Sequence, residues 1–174
     1  MPSSMKETAL RNISISRRRT ALIMDVSRRI LGSLGGNLAT FFAVPLLVNG
    51  LIFGLDLNRD NVALPGVPPG WAVGAIWMAL FLCLGWARWL LLHAQSSMAD
   101  GVTLVAVLCL LYPLYTVGFR SLATGFWGGA VTAVLALAVS LYARRRSRLA
   151  STLLLLVALW LTYATLATGR VLFN

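Results

Sequence analysis

The chain has 174 residues, of which 59% are hydrophobic and only 11% are charged, with a formal net charge of +10. A soluble domain carries about 25% charged residues, so this composition excludes a water-soluble fold and indicates a membrane protein. The basic residues lie between apolar segments rather than among base-stacking aromatics, which argues against nucleic acid as a partner. At about 20 apolar residues per crossing, the length allows five helical spans in one domain.

The N-terminal segment, residues 1–29, is rich in Ser and Arg and poor in acidic residues. Leu22, Ile23, Val26 and Ile30 recur at helical spacing beside arginines, which is typical of a short amphipathic helix on an anionic membrane surface. We interpret this segment as a basic cytoplasmic tail. A mitochondrial or plastid targeting segment is the alternative.

Five apolar segments follow and predict an all-α membrane protein, a bundle of five transmembrane helices. In hydrocarbon only a helix satisfies its own backbone groups at these lengths, and short links force neighbouring helices to run antiparallel. One connection is long, residues 56–70, and its Pro and Gly content excludes a regular helix. The transmembrane domain covers residues 30–174, with predicted spans at about 30–55, 71–92, 101–119, 121–143 and 149–169.

The distribution of basic residues predicts the orientation. Twelve Lys and Arg residues fall on the side of the N-terminus, whereas three, Arg59, Arg120 and Arg170, fall on the other side. The positive-inside rule therefore places the N-terminus in the cytoplasm if the membrane is a bacterial inner membrane, which is our preferred location. An organellar membrane is the alternative.

Reactive side chains are scarce in the predicted spans. No Asp or Glu lies in the predicted spans, and the only ionisable groups at membrane depth are Arg88 and His93, both near one end of the second span. This argues against an ion-coupled transporter, which needs carboxylates or a chain of His residues within the membrane. We expect Arg88 to extend to the lipid headgroups. No nucleophile stands beside a base and no metal ligands cluster, so we predict no enzyme, no catalytic residue and no metal site. Cys83 and Cys109 are interpreted as small apolar fillers.

Two further patterns concern packing. Gly125, Gly129 and Ala133 form a small-residue face on the fourth span, which predicts a helix–helix interface.

Several Trp and Tyr residues lie deeper than the interfacial belt, where a polar tip tends to face the bundle interior. Helix packing explains such aromatics, and so does a pocket for a flat apolar ligand. These deep aromatics are Trp77, Tyr112, Tyr115, Trp160 and Tyr163.

The segment VPPGWAVGAIWMALFLCLGWARWLL, residues 67–91, resembles the signature of the TspO/MBR family, the tryptophan-rich sensory or translocator proteins. That signature reads approximately PPxWVFGPVWTxLYxxMGxAxWLV. Two further segments show a weaker similarity to later segments of the family, in the same order along the chain. They are LLYPLYTVGFR at 110–120 and LLLLVALWLTYAT at 153–165. The matching residues of the first segment are Pro68, Pro69, Trp71, Val73, Gly74, Trp77, Leu80, Gly85, Ala87 and Trp89.

The resemblance covers about residues 45–174 and implies a five-helix bundle, often dimeric. It also implies a pocket near the face covered by the first loop, which takes porphyrins, sterols or synthetic aromatic ligands. Tyr112 stands where the family has an Asn, so a phenol replaces the usual polar anchor. By position, the residues expected to line the pocket are Trp77, Phe81, Tyr112, Tyr115, Trp160, Tyr163 and Ala164.

Three functions follow from these features. The first is binding of a lipophilic aromatic ligand, a porphyrin or sterol-like molecule, with a role in transport, sensing or regulation. The second is a structural or assembly subunit of a larger membrane complex, motivated by the altered pocket, the basic tail and the small-residue face. Light-dependent porphyrin breakdown, an activity proposed for the family, ranks last because nothing else in the sequence supports it. A porphyrin is thus the one possible cofactor-like ligand, and a homodimer or larger complex is expected.

Overall fold

The structure, a computed structural model, describes residues 32–54, 66–113 and 121–173. These ranges contain five α-helices and no strand, so the predicted all-helical fold is confirmed. The basic tail, residues 1–29, and most of the long connection lie outside the described residues. The helices are α1 Leu34–Gly54, α2 Gly70–His93, α3 Met98–Pro113, α4 Leu122–Ala143 and α5 Arg148–Leu172.

Four of these helices, α1, α2, α4 and α5, are long and apolar enough to cross a membrane. The third, α3, has 16 described residues, or about 24 Å of helix, against a hydrocarbon core of about 30 Å. It begins three residues before the predicted start at Gly101, because the Met98 N–H donates to the Ser96 hydroxyl at 3.2 Å and so caps the first turn. The predicted end of this span, residues 114–119, lies outside the described residues.

Contacts between helices show that sequential neighbours run antiparallel. Between α2 and α3, Arg88 meets Thr103 near one end of the bundle, while Phe81 and Cys109 line the same cleft towards the other. Between α4 and α5, the Ser140 hydroxyl donates to the Ser151 carbonyl at 2.8 Å. We call the end with the α2–α3 and α4–α5 links the short-link end, and the opposite end, where residues 55–69 join α1 to α2, the loop end.

The core of the bundle is built around α2, which packs against α1, α3 and α5, while α4 packs against α3 and most extensively against α5. By contrast, α1 lies at the periphery. Only 11% of the residues in its apolar stretch are buried, compared with 33% to 39% in α2, α4 and α5. The large side chains with no exposed surface in the core are Leu84, Leu91, Val102, Val105, Leu154 and Val157.

A polar cluster near the short-link end joins α1 to α2 and α3. Arg88 Nε donates to Thr103 Oγ1 at 2.9 Å, and Arg88 Nη1 donates to Asn37 Oδ1 at 2.6 Å. Asn37 is fully buried, and its Nδ2 donates to the Ser33 carbonyl at 2.9 Å. Arg88 therefore departs from the expectation that it reaches the headgroups, because Asn37 of α1 and Thr103 of α3 accept its hydrogen bonds.

Gly85 explains how α1 comes close enough for this cluster. A Cβ atom at Gly85 would stand 3.0 Å from the Phe41 Cβ and 3.2 Å from the Asn37 carbonyl oxygen. Such distances leave no room for a larger residue without a shift of α1. The glycine of the α2 motif is thus the point at which the peripheral helix is held against the core.

Candidate functional site

A cleft opens between α1, α2 and α3 in the half of the bundle towards the loop end. Each of the three helices contributes part of the wall, and no charged side chain belongs to it. Ligand sites in proteins are typically of this kind, mostly apolar with a small number of polar groups. The wall consists of Pro45, Val48 and Asn49 from α1, Trp77 and Phe81 from α2, and Cys109, Leu110, Tyr112 and Pro113 from α3.

Three aromatic rings form one side of this cleft. Trp77 and Phe81 are four residues apart, so they project from the same face of α2, and their ring centroids lie 6.0 Å apart. The Tyr112 ring, from the last turn of α3, lies 6.4 Å from that of Trp77 with the planes tilted by 35°. The structure therefore brings together three of the seven residues that the sequence predicts to line a pocket.

The Tyr112 side chain is already engaged by a neighbouring helix. It forms a hydrogen bond with the Thr168 side chain of α5. A buried phenol normally finds such a partner, because an unpaired hydroxyl in an apolar environment is unfavourable. The aromatic face of Tyr112 is thus turned to the cleft wall while its polar tip links α3 to α5.

The predicted residues of α5 lie apart from the cleft wall. Trp160 and Tyr163 contact each other, with ring centroids 5.4 Å apart, and neither lines the cleft. The Tyr163 hydroxyl donates to the carbonyl of Gly66, in the segment that leads into α2. Ala164 is partly buried, and its carbonyl accepts a hydrogen bond from Thr168 at 2.9 Å. Tyr115 lies outside the described residues.

The family model of the TspO/MBR family matches residues 41–173, which is well over half of the chain. The chain belongs to the TspO/MBR family. This confirms the resemblance seen in the α2 motif, and with it a multi-pass membrane bundle of five helices. TspO/MBR proteins generally bind porphyrins or sterols and act in transport or sensing rather than as enzymes. Neither the curated proteins nor the solved structures compared with the chain gave a match.

The cleft of this TspO/MBR chain is small as it stands. Its volume of about 30 Å³ is near that of a single water molecule, whereas ligand pockets usually measure about 300 to 1,000 Å³. A tetrapyrrole or sterol therefore fits only if the walls separate. The arrangement offers stacking and one amide but no acid–base pair, and the described residues contain no group of three metal-ligating side chains.

Two polar atoms of α5 are buried without a hydrogen-bond partner in the described part of the chain. They are the indole Nε1 of Trp160 and the hydroxyl Oγ1 of Thr165. A buried unpaired donor costs about 1 to 3 kcal/mol in water-soluble proteins. Both atoms therefore weaken the packing of α5 rather than strengthen it.

The small-residue face of α4 is occupied within the chain. Gly125, Gly129 and Ala133 are all buried, and a Cβ atom at Gly129 would stand 2.5 Å from Thr165 Oγ1 of α5. Ser140 continues the same contact towards the short-link end through its bond to Ser151. The predicted helix–helix face thus lies against α5, which leaves it unavailable to a second protein.

The sequence interpretation missed the contribution of α1 to the cleft. Asn49 is the clearest omission, since it is an amide in a span without charged residues, and polar side chains at membrane depth usually have a function. That signal was available from the sequence. Pro45 and Val48 carry no such signal, because apolar residues of a membrane helix face lipid as readily as a neighbouring helix.

Proposed function

We propose that this TspO/MBR protein binds a flat lipophilic ligand, a porphyrin or a sterol-like molecule, in the cleft between α1, α2 and α3. The observation that carries the proposal is the cluster of Trp77, Phe81 and Tyr112 in a wall without charged side chains. Aromatic side chains stack favourably on flat rings, and an apolar wall desolvates them at little cost. The bound ligand would serve transport, sensing or regulation.

Binding in this cleft requires one wall to move, and α1 is the wall that moves most easily. It is the least buried of the four long apolar helices, and its extensive packing is with α2 alone. Two of its close contacts with α2, the Asn37–Arg88 hydrogen bond and the approach of α1 to Gly85, lie on the short-link side of the cleft. An outward displacement of α1 near Pro45 and Asn49 therefore widens the cleft while those contacts persist.

Titration with protoporphyrin IX dimethyl ester, a neutral porphyrin, in detergent micelles tests the proposal. Wild-type protein is expected to bind it saturably at micromolar concentration, seen as a shift of the porphyrin absorbance band and quenching of Trp fluorescence. Trp77→Leu should weaken binding about three- to tenfold, because it removes a stacking partner worth about 0.5 to 1.5 kcal/mol. Trp127→Leu is the matched control, since Trp127 is 63% exposed on α4 and does not line the cleft.

Two results would contradict the proposal. One is the absence of saturable porphyrin or sterol binding by the wild-type protein. The other is an equal loss of affinity in the Trp77 and Trp127 variants, which would place the ligand elsewhere or in the micelle. Of the three features that motivated the alternative of an assembly subunit, the small-residue face is buried against α5 and is not available to a partner.

We further propose that the chain lies in a bacterial inner membrane with its short-link end in the cytoplasm. Supporting this orientation, Arg144, Arg145, Arg146 and Arg148 are all exposed around the α4–α5 link. Arginines retained beside a membrane span favour the cytoplasmic side. The cleft would then lie in the half of the bundle that faces away from the cytoplasm.

A further inference from the structure

Asn49 is a polar side chain in an otherwise largely apolar cleft wall. It lies on α1, five residues before Gly54 and thus about 7.5 Å along the axis from the described end of that helix. The described residues provide no hydrogen-bond partner for its side chain. An amide offers two donors and one acceptor, and no side chain or carbonyl of the described residues uses them.

This position is unfavourable for an amide whose neighbours offer no hydrogen bond. Leaving such a group unpaired in an apolar environment costs about 1 to 3 kcal/mol by protein mutational data. The other amide of α1 has a different environment, since Asn37 is fully buried and bonded to both Arg88 and the Ser33 carbonyl. Asn49 thus differs from Asn37 in lacking partners and in facing a cleft.

The charge of the surroundings limits what Asn49 can hold. No charged side chain lines the cleft, and Arg88 lies seven residues beyond Phe81 on α2, about 10.5 Å along the axis, with bonds to Asn37 and Thr103. An ionised carboxylate in the cleft would therefore be desolvated without a counter-charge, which is costly. A neutral carbonyl or hydroxyl avoids that cost and can still bond to an amide.

We infer that Asn49 is the polar anchor of the bound ligand and selects lipophilic molecules that carry a neutral hydrogen-bonding substituent, such as an ester carbonyl, a ketone or a hydroxyl. This inference rests on the proposed function, because it assumes that the cleft between α1, α2 and α3 is the binding site. The ring system of the ligand stacks on Trp77 and Phe81 of α2, and its substituent meets Asn49 of α1.

Two porphyrins with the same tetrapyrrole ring provide the test. Protoporphyrin IX dimethyl ester carries neutral ester carbonyls, whereas octaethylporphyrin has no such group. Wild-type protein is expected to bind the ester about five- to tenfold more tightly, the effect of one well-formed hydrogen bond in an apolar site. Asn49→Leu should remove this difference by weakening the ester, while its affinity for octaethylporphyrin stays within about twofold of wild type.

Thr40→Val is the matched control on the same helix. Thr40 Oγ1 donates to the Gly36 carbonyl one turn earlier and does not line the cleft, so the variant should keep the wild-type preference. Octaethylporphyrin binding also reports that the Asn49 variant is folded. Replacing an amide by Leu in an apolar helix favours membrane insertion, so loss of the fold is not expected.

Each other outcome decides against the inference. If Asn49→Leu retains the preference for the ester, Asn49 is not the anchor although the cleft remains the binding site. If the variant loses both porphyrins equally and its thermal unfolding temperature falls, Asn49 has a packing role instead. If wild-type protein binds neither porphyrin, the proposed function fails and the anchor with it.

Discussion

At the scale of single residues, the structure contrasts two polar side chains placed at membrane depth. Arg88 gives hydrogen bonds to neutral oxygens of Asn37 and Thr103, whereas Asn49 has none among the described residues. A guanidinium in hydrocarbon is tolerated when its donors are satisfied by neighbouring helices. Arg88 therefore has the character of a structural link and Asn49 that of a binding residue.

Arg88→Leu should destabilise the bundle, because it removes two hydrogen bonds and leaves the buried Asn37 Oδ1 without this donor. Hydrogen bonds to charged groups contribute about 1.5 to 3 kcal/mol in soluble proteins and less between membrane helices, so we expect a loss of about 1 to 3 kcal/mol. Equilibrium unfolding in mixed micelles measures it. Arg145→Gln, at an exposed position, should be neutral. Equal stability of Arg88→Leu and wild type would mean that Arg88 does reach the headgroups.

The residue scale also shows the limits of prediction from sequence. Trp77 and Phe81 could be placed together because their spacing of four fixes them on one helical face. The hydrogen-bond partner of Arg88 could not be predicted, because Asn37 is 51 residues away and no local sequence pattern links the two. Trp160 and Tyr163 were predicted from the family pattern to line a pocket. In the structure their rings contact each other, the Tyr163 hydroxyl donates to the Gly66 carbonyl, and neither residue lines the cleft.

At the scale of helices, the number of helices could be predicted because length and apolarity alone decide how often a chain can cross hydrocarbon. Helix α3 begins at Met98 rather than at the predicted Gly101, and the Met98 N–H donates to the Ser96 hydroxyl. Hydropathy cannot predict a local polar contact of this kind. Which faces meet was harder to predict. The face of Gly125, Gly129 and Ala133 was recognised as an interface, but only the tertiary structure shows that its partner is α5.

The α4–α5 contact yields a prediction at this scale. Gly129→Ala would place a Cβ atom 2.5 Å from Thr165 Oγ1, too close for the helices to keep their present separation. Overpacking of this kind costs about 1 to 3 kcal/mol, which unfolding in mixed micelles would measure. Gly50→Ala is the matched control, since nothing lies within 4 Å of a Cβ atom there.

A second substitution separates this clash from other effects. Thr165→Ala removes the hydroxyl that the new methyl group would meet, so the double variant should recover most of the stability lost by Gly129→Ala. If Gly129→Ala leaves stability unchanged and alters the oligomeric state instead, the face serves a contact between proteins and the assignment to α5 is mistaken.

At the scale of the whole molecule, the two halves of the bundle differ in how they are held together. The short-link half contains the Arg88 cluster and the Ser140–Ser151 hydrogen bond. It also contains a close approach of α3 to α4, where a Cβ atom added at Gly101 would stand 3.2 Å from Val139. The half towards the loop end contains the cleft and two unpaired buried polar atoms, Trp160 Nε1 and Thr165 Oγ1. A cleft confined to one half suits a protein that opens on one side only.

Which side opens depends on the orientation in the membrane, and this can be tested with single cysteines in a Cys83→Ala/Cys109→Ala background. Ser97→Cys places a thiol at the exposed α2–α3 link, and Phe173→Cys places one at the opposite end, where Phe173 is 69% exposed. The exposed arginines of the α4–α5 link predict that the short-link end is cytoplasmic. A membrane-impermeant maleimide should therefore label Phe173→Cys in intact bacterial cells and Ser97→Cys only after permeabilisation. The reverse pattern would place the cleft in the cytoplasmic half, where an opening displacement of α1 would admit ligand from the inner leaflet.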